Sequence, residues 1–224
     1  MNRYVLKFRK EGYIKYTSHL DLLRLFSRSF RMTDIELKHS EGFNPHPKMS
    51  FVQPLSLGYS SACELFEFET VEHFELDEIL RRLNSVFPKG VFAELCYEYN
   101  EKNTLASLVD AAGYRVIIPF CGDSESADKL VKEYLSQEEI NTVKVSKKNG
   151  KSKTVNIKPM IRDIKAEVRD GALVLDLLLD SGSYSNLSPE LVITTFLEST
   201  RLDEKRYNIE VERTGIYFSS NFHF

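Results

Sequence analysis

The first ten residues alternate between apolar and charged side chains, which is the period-two pattern of a half-buried β-strand. The alternating positions are Arg3, Tyr4, Leu6, Lys7, Phe8 and Arg9. A turn at 11–12 and a short extended segment at 13–16 are predicted to follow. Ser18 then matches a helix N-cap, because Asp21 comes three residues later as in a capping box. Apolar residues at helical spacing predict a helix that ends near Met32.

The rest of the first half continues with two strands, a helix and a strand. The predicted bounds are 50–52 and 63–70 for the two strands, 75–87 for the helix and 91–99 for the last strand. Pro88 ends the helix, because proline cannot continue a helical hydrogen-bond ladder. The resulting order, β-α-β-β-α-β, is that of the split βαβ motif.

The second half repeats this pattern after a hinge near 100–112. The predicted strands are 114–120, 141–146, 154–161, 164–169, 172–179 and 207–218, and the predicted helices are 124–136 and one that begins at Ser188. Asn149-Gly150 is a strong hairpin turn signal. The sequence therefore predicts an α+β fold of two ferredoxin-like units packed side by side with antiparallel sheets, at 1–103 and 104–224. One larger α+β sandwich is the alternative.

Composition supports a globular chain that needs no covalent or metal staple. Of 224 residues, 42% are hydrophobic, which is enough for a sizeable core. No apolar run reaches the length of a membrane span, and the charged N-terminus does not match a signal peptide. The three cysteines are odd in number and lack CxxC spacing, which argues against a disulfide framework and against a zinc or iron–sulfur site on this chain. A reducing, cytoplasmic setting is expected.

The formal net charge of -3 hides strong local bias. Residues 1–50 carry ten basic side chains against five acids, and residues 60–101 carry ten acids against three bases. Residues 144–165 carry eight bases against one acid. The bias predicts a basic face for a polyanion and an acidic face elsewhere, unless the charges intermix on folding.

Three arginines follow Asp21 along the first helix. Asp21, Arg24, Arg28 and Arg31 are spaced three, four and three residues apart, so they share one helix face. Arg24 can pair with Asp21, whereas the two remaining arginines repel their neighbours. An external phosphate would relieve that repulsion. The alternative is a solvated polar face.

The segment GFNPHPK at 42–48 combines a stiff backbone with varied chemistry. Its two prolines fix their own backbone angles and extend the residues before them. The segment presents Phe43, Asn44, His46 and Lys48. An aromatic ring, an amide, a titratable ring and a cation are the parts of a single-stranded RNA or nucleotide site. A structural crossover with exposed polar tips is the alternative.

Two further groups could carry function. His19 and His46, with Asp21, could act as acid and base in metal-free RNA cleavage. No third ligand is fixed by spacing, so no metal site is predicted. The hairpin at 141–161 could grip a phosphate backbone, or it could be an ordinary exposed hairpin. Its candidate contacts are Lys147, Lys148, Lys151 and Lys153.

These motifs resemble the bacterial radical-SAM-associated (radical-SAM-linked) domain of unknown function. The resemblance covers nearly the whole chain and is most specific in SHLD at 18–21 and GFNPHPK at 42–48. Further matching segments are 3–16, 49–58, 109–114 and 153–161. In that family the domain often follows or accompanies a radical-SAM module, and its neighbours often include a ribonuclease of the G/E type and large-subunit ribosomal proteins. These associations imply RNA-linked or ribosome-linked modification. This chain lacks the cysteine triad for a [4Fe–4S] cluster, so the cluster and S-adenosylmethionine are expected on a partner protein.

Three functions remain open from the sequence. The leading hypothesis is an RNA-recognition or accessory subunit that works with a radical-SAM partner on tRNA or rRNA and is not catalytic alone. The second is a metal-independent RNA-processing or nucleotide-modifying enzyme that uses His19 and His46. The third is a protein–protein adaptor without RNA contact, which docks through the acidic segment. Membrane and DNA partners are not expected.

Overall fold

The structure is a computed structural model that describes residues 2–145 and 152–219. Within these residues it contains four α-helices and ten strands. The chain divides into two compact units. The first runs to Val109 and also includes the chain from Arg213 onward, and the second is Asp110–Glu212.

The first unit contains the elements predicted for the first half, in the predicted order. They are β1 (Arg3–Lys10), α1 (His19–Met32), β2 (Met49–Phe51), β3 (Ser60–Glu69), α2 (Leu76–Asn84) and β4 (Val91–Glu98). Strand β1 lies between β4 and β3, and β2 pairs with β3. These three pairings are antiparallel.

The helix-facing side of this sheet is filled by aromatic and aliphatic side chains. Tyr4, Leu6 and Phe8 of β1 are completely buried, as the alternation predicted. Phe26 and Phe30 of α1 pack onto the same cluster. An apolar stripe on α1 therefore fixes which helix face turns to the core and which turns to solvent.

The opposite side of the sheet is also covered. Val5 and Leu65 are buried there, with Tyr99 and Leu105 packed against them. The prediction that β1 is half-buried is therefore wrong, since Arg3 is itself only 6% exposed. Its guanidinium pairs with the Glu67 carboxylate.

Three charged side chains lie together inside the first unit. We call Lys10, Glu64 and Arg213 the buried charge cluster, because each is 2% exposed or less. Arg213 Nη1 donates to Glu64 Oε1 at 2.9 Å and to the Gln53 carbonyl at 2.9 Å. Its Nη2 donates to the Pro54 carbonyl at 2.8 Å. One arginine thereby ties a strand and a loop together.

Lys10 is the second cation of this cluster. Burial lowers the pKa of its ammonium, while the negative charge of Glu64 acts in the opposite direction. Its Nζ donates to the Lys15 carbonyl at 3.4 Å and to the Thr17 carbonyl at 3.5 Å. The cluster therefore holds the segment that leads into α1.

From Val109 onward, the described part of the chain forms two α-helices and six strands. They are β5 (Val109–Pro119), α3 (Ser124–Ser136), β6 (Asn141–Val145), β7 (Ser152–Asn156), β8 (Ile161–Arg169), β9 (Ala172–Asp180), α4 (Pro189–Thr200) and β10 (Glu210–Phe218). Strands β5, β9 and β8 are neighbours in that order with antiparallel registers, whereas β6 and β7 form a separate hairpin. From Arg213 onward β10 belongs to the first unit. The protein is thus a mixed α+β fold with antiparallel strand pairs.

Several predicted elements differ from the structure. The closing strand predicted at 207–218 begins only at Glu210, because Arg206–Asn208 form a 3-10 helix. Residues Gly12–Tyr16 form a 3-10 helix, so the extended segment predicted there is wrong. The predicted strand 154–161 is interrupted after Asn156 by a 3-10 turn at Lys158–Met160, because Pro159 has no N–H for a strand ladder. Strand β5 begins five residues before its predicted start, and α2 is shorter than predicted.

None of the helices in the described part of the chain has both the length and the apolar character that a membrane crossing requires.

The predicted division at 103/104 stays a prediction about domains. By contacts, the chain divides six residues later, and its last strand returns to the first unit.

Candidate nucleic-acid interface

Helix α1 begins at the predicted N-cap. The Ser18 hydroxyl accepts from the Asp21 N–H at 3.2 Å and donates to Asp21 Oδ2 at 2.7 Å. Arg24 Nη1 reaches Asp21 Oδ1 at 2.8 Å, which confirms the predicted pair. The Ser18 hydrogen bond, followed by that of Arg24, lowers the pKa of Asp21. Asp21 is therefore a stable carboxylate, unsuited to a general base near neutral pH.

Arg28 and Arg31 continue the same helix face and are exposed. Most arginines of this chain pair with a carboxylate, as Arg115 does with Asp176 and Arg162 does with Asp110. Within the described residues, neither Arg28 nor Arg31 makes an ion pair or a side-chain hydrogen bond. We call Arg24, Arg28 and Arg31 the arginine face. It presents two cations whose charge the described part of the chain leaves uncompensated.

The loop at 40–48 is held at its base by backbone hydrogen bonds. The Ser40 N–H donates to the His46 carbonyl at 2.8 Å, and the His46 N–H donates to Ser40 Oγ at 3.0 Å. One step further, the Lys48 N–H donates to the Lys38 carbonyl at 2.7 Å. These bonds give the loop a defined base from which the tip projects.

The tip of this loop is open to solvent. The Phe43 ring is fully exposed and Asn44 is exposed beside it. Gly42 has a φ of +122°, which a residue with a side chain would rarely adopt. The tip therefore offers a platform on which a base could stack.

Lys48 lies at the base of the loop and is less available than the arginines. Its Nζ is 3.2 Å from Glu69 Oε2, and Lys38 Nζ is 3.7 Å from the same oxygen. The carboxylate compensates much of the positive charge of this lysine pair. A phosphate contact at Lys48 would have to compete with Glu69.

Two cavities border Pro47, at the end of this loop. The larger has a volume of about 470 Å³ and lies between the C-terminal half of α1 and residues 34–39. Its lining residues are Ser27, Phe30, Arg31, Asp34, Ile35, Glu36, Leu37, His39 and Pro47. We call it the α1 cavity. Because Arg31 and Pro47 both line it, the arginine face and the base of the loop are neighbours.

The smaller cavity, of about 260 Å³, is also lined by Pro47. It is lined by Ser40, His46, Pro47, Lys48, Met49, Ser50, Glu67, Phe68 and Glu69. Its main charges already have partners, since Glu67 pairs with Arg3 and Glu69 pairs with Lys48. Pro47 of the GFNPHPK motif therefore borders two cavities. In the smaller one the carboxylates are paired with cations, whereas the α1 cavity contains Arg31, which has no partner in the described residues.

The two candidate catalytic histidines have different surroundings. The His19 ring packs edge-on against Phe51 with ring centroids 5.4 Å apart, at the helix start. His46 is exposed and lines the smaller cavity with Lys48 and Ser50. Within the described residues the two rings make no hydrogen bond or ring contact with each other. Catalysis by His19, Asp21 and His46 therefore stays a prediction.

Part of the predicted basic hairpin can be placed. Lys153 is exposed on β7, in register with Lys144 of β6. Lys147, Lys148 and Lys151 lie outside the described residues. Their contact with RNA stays a prediction.

Cys63 and Cys96 do not suggest metal ligation or nucleophilic chemistry. Burial raises the pKa of the Cys63 thiol to about 11 and that of Cys96 to about 12. Both are protonated thiols at neutral pH, whereas a ligand or nucleophile must be a thiolate. Within residues 2–145 and 152–219, no group of three His, Cys, Asp or Glu side chains is arranged to hold a metal ion.

Comparison with known families places the chain. Residues 3–189 match the family described as "Uncharacterized protein conserved in bacteria (DUF2344)". The chain belongs to the DUF2344 family. No curated protein matches it.

Two solved structures are distantly similar to this DUF2344 member. A chain of the crystal structure of a Cbf5-Nop10-Gar1 complex matches 97% of it at 10% identity with a TM-score of 0.46. The match covers 50% of that chain, so the present chain spans about half its length. An unknown protein from Galdieria sulphuraria matches 95% of it at 11% identity, with a TM-score of 0.28 and 98% of that chain covered. At these TM-scores neither likeness bears on function.

Sequence reasoning did not single out three residues of the α1 cavity. Asp34, Glu36 and His39 lie between the two motifs that drew attention, in a segment without obvious periodicity. Asp34 follows the helix end with a φ of +55°, where glycine or asparagine is more usual. The sequence offered one signal for this site, namely an aspartate that follows the helix C-cap Thr33.

Proposed function

We propose that this protein is an RNA-recognition subunit that binds single-stranded RNA through the arginine face and the 40–48 loop. The observation that carries the proposal is that Arg28 and Arg31 are exposed on α1 without a carboxylate partner in the described residues. A pair of cations left unpaired at i and i+3 disfavours the helix slightly. The arrangement becomes favourable once a phosphate lies between them.

The loop would supply the contacts to bases. Phe43 projects from a tip whose base is fixed by Ser40 and His46, so its ring is available for stacking without ordering the loop first. Base stacking on an aromatic ring contributes about 1–3 kcal/mol and accepts any base. Asn44 lies beside the ring and offers both a donor and an acceptor to a base edge.

Two wider parts of the proposal rest on the resemblance and on topology. A radical-SAM partner would carry the [4Fe–4S] cluster and S-adenosylmethionine, while this chain presents tRNA or rRNA to it. The strand order of the first unit, β4-β1-β3 with β2 beside β3, is compatible with a ferredoxin-like arrangement. In the second unit the β6–β7 hairpin would be an insertion into a second ferredoxin-like topology.

The test is binding of a fluorescent single-stranded RNA across a salt series, comparing the chain with its R28A/R31A double variant. Each phosphate contact to a single strand contributes about 0.7 to the slope of log affinity against log salt. The double variant is expected to bind more weakly and to lose about 1.4 from that slope.

The matched control is K129A/K132A, which removes two exposed lysines from α3. The control is expected to bind like the unchanged chain. Equal loss in both double variants would indicate non-specific attraction rather than a site. No binding by the unchanged chain at low salt would contradict RNA recognition and favour the adaptor hypothesis.

A further inference from the structure

The α1 cavity has an apolar floor and an unpaired polar rim. Phe30, Ile35 and Leu37 form the floor and belong to the buried core. The rim carries a cation, a titratable ring and two carboxylates, namely Arg31, His39, Asp34 and Glu36. Within the described residues, none of these four side chains makes an ion pair or a side-chain hydrogen bond. Small-molecule sites share this build of apolar walls with a few convergent polar groups.

The size of the cavity fits a single nucleotide. Its volume of about 470 Å³ lies within the range of about 300–1,000 Å³ that small-molecule sites occupy. The apolar floor can take the flat face of a base. Arg31 belongs both to the rim and to the arginine face, so a phosphate of the same nucleotide would continue the path proposed for the RNA backbone.

The two carboxylates select which base edge can enter. An ionised carboxylate is a pure acceptor, so it needs N–H donors opposite it. Uracil presents mainly carbonyl acceptors on its exposed edge, which Asp34 and Glu36 would repel. Guanine presents two adjacent donors, N1–H and N2–H₂, which match the two oxygens of one carboxylate.

We propose that the α1 cavity binds an extruded guanine base of RNA, with Asp34 and Glu36 accepting its N–H groups and Arg31 contacting its phosphate. The proposal rests on the proposed function for its RNA backbone, but the site itself also fits guanosine monophosphate. His39 stands on the rim beside Pro47, where it would contact the sugar or the base edge.

The experiment uses oligouridine 9-mers with one central guanosine, inosine, adenosine or uridine. Inosine lacks the N2 amino group and therefore one of the two donors. We expect guanosine to bind about tenfold more tightly than uridine, with inosine between them, as for one good base contact. The D34N/E36Q double variant should bind all four oligomers alike. Asparagine tolerates the left-handed backbone of position 34, so the variant should fold.

The matched control is E125Q/D128N on α3, which changes the net charge equally and leaves the cavity intact. It should retain the guanosine preference. A preference that persists in D34N/E36Q, or that is absent from the unchanged chain, overturns the cavity assignment while leaving RNA recognition in place.

Direct binding of free guanosine and uridine monophosphates separates the two proposals. If no RNA oligomer binds yet guanosine monophosphate binds the unchanged chain and not D34N/E36Q, RNA recognition fails and the α1 cavity stands as a site for a free guanine nucleotide. If neither an oligomer nor a mononucleotide binds, both proposals fail.

Discussion

The buried charge cluster and the arginine face both contain more positive than negative charge, yet they treat it in opposite ways. In the cluster, Arg213 is 1% exposed and donates to a carboxylate and two carbonyls. On the face, Arg28 and Arg31 stand in water without a protein partner in the described residues. In the first arrangement the fold supplies partners to both terminal nitrogens of the guanidinium, although the buried Arg213 Nε has none among the described residues. In the second, the charge remains accessible to solvent and to the phosphate contact that we propose.

A count of charges along a segment cannot distinguish cations that the fold buries from cations that remain exposed to solvent. Arg3 and Lys10 contribute to the basic run of the first fifty residues, yet both are buried and serve the fold. Arg28 and Arg31 belong to the same run and are available to a polyanion. Comparing variants of the two regions is therefore the direct way to separate stability from binding.

The largest effect is expected from Glu64→Gln, which leaves Arg213 and Lys10 buried without their anion. Breaking a buried ion pair from one side costs about 3–5 kcal/mol of unfolding free energy. Urea unfolding of the full chain measures it. The control is Asp176→Asn, at a surface pair with Arg115, where less than about 1 kcal/mol is expected. Similar losses in both variants would contradict the distinction drawn here.

Arg213→Lys is expected to cost less, about 2 kcal/mol. The substitution keeps a positive charge but removes the fork that reaches Glu64, Gln53 and Pro54 together. Each hydrogen bond from a charged donor contributes roughly 1.5–3 kcal/mol, and lysine can replace part of them. An unfolding midpoint equal to that of the unchanged chain would mean that charge alone holds the cluster.

At the start of the helix that carries the arginine face, Ser18→Ala is expected to cost about 1 kcal/mol through loss of the N-cap. It also removes the main cause of the lowered pKa of Asp21. That carboxylate stabilises the fold above its unfolded pKa of 3.8 and ceases to do so as pH falls through its lower folded pKa. The variant should therefore lose less stability on acidification than the unchanged chain. Ser18→Asp, which restores a cap acceptor, should recover most of the cost at neutral pH.

The smallest effect on stability is expected from R28A/R31A, within about 0.5 kcal/mol of the unchanged chain. The reason is that neither side chain bonds within the described fold, and relief of their repulsion offsets lost solvation. Thermal unfolding checks it beside the RNA titration. A loss above about 1.5 kcal/mol would show a structural role and weaken the binding argument.

Local signals predicted two of the helices, α1 and α3, with good accuracy. Helix α1 starts after Ser18 and ends at Met32 as predicted, and α3 spans 124–136 as predicted. Both begin with a side chain that caps its own first turn, so the information lies within four residues. Strand β5 was harder, because its first residues lack the alternation that marks a strand.

Long-range features could not be predicted in the same way. Glu64 meets Arg213 across 149 positions of sequence, and no local pattern announces the pair. The α1 cavity forms because residues 34–39 pass beside the end of α1, so Asp34 and Glu36 become neighbours of Arg31 only after folding. The motifs located the region of the candidate site but not its cavity.

The return of β10 to the first unit has a consequence for synthesis on the ribosome. Glu64 and Lys10 emerge early, whereas Arg213 follows Glu64 by 149 residues. At translation rates of about 5–20 residues per second, that delay is on the order of ten seconds. During this delay the first unit contains Glu64 and Lys10, which the final fold buries, while Arg213 has not yet been synthesised. The last strand therefore sets the moment at which the first unit can close.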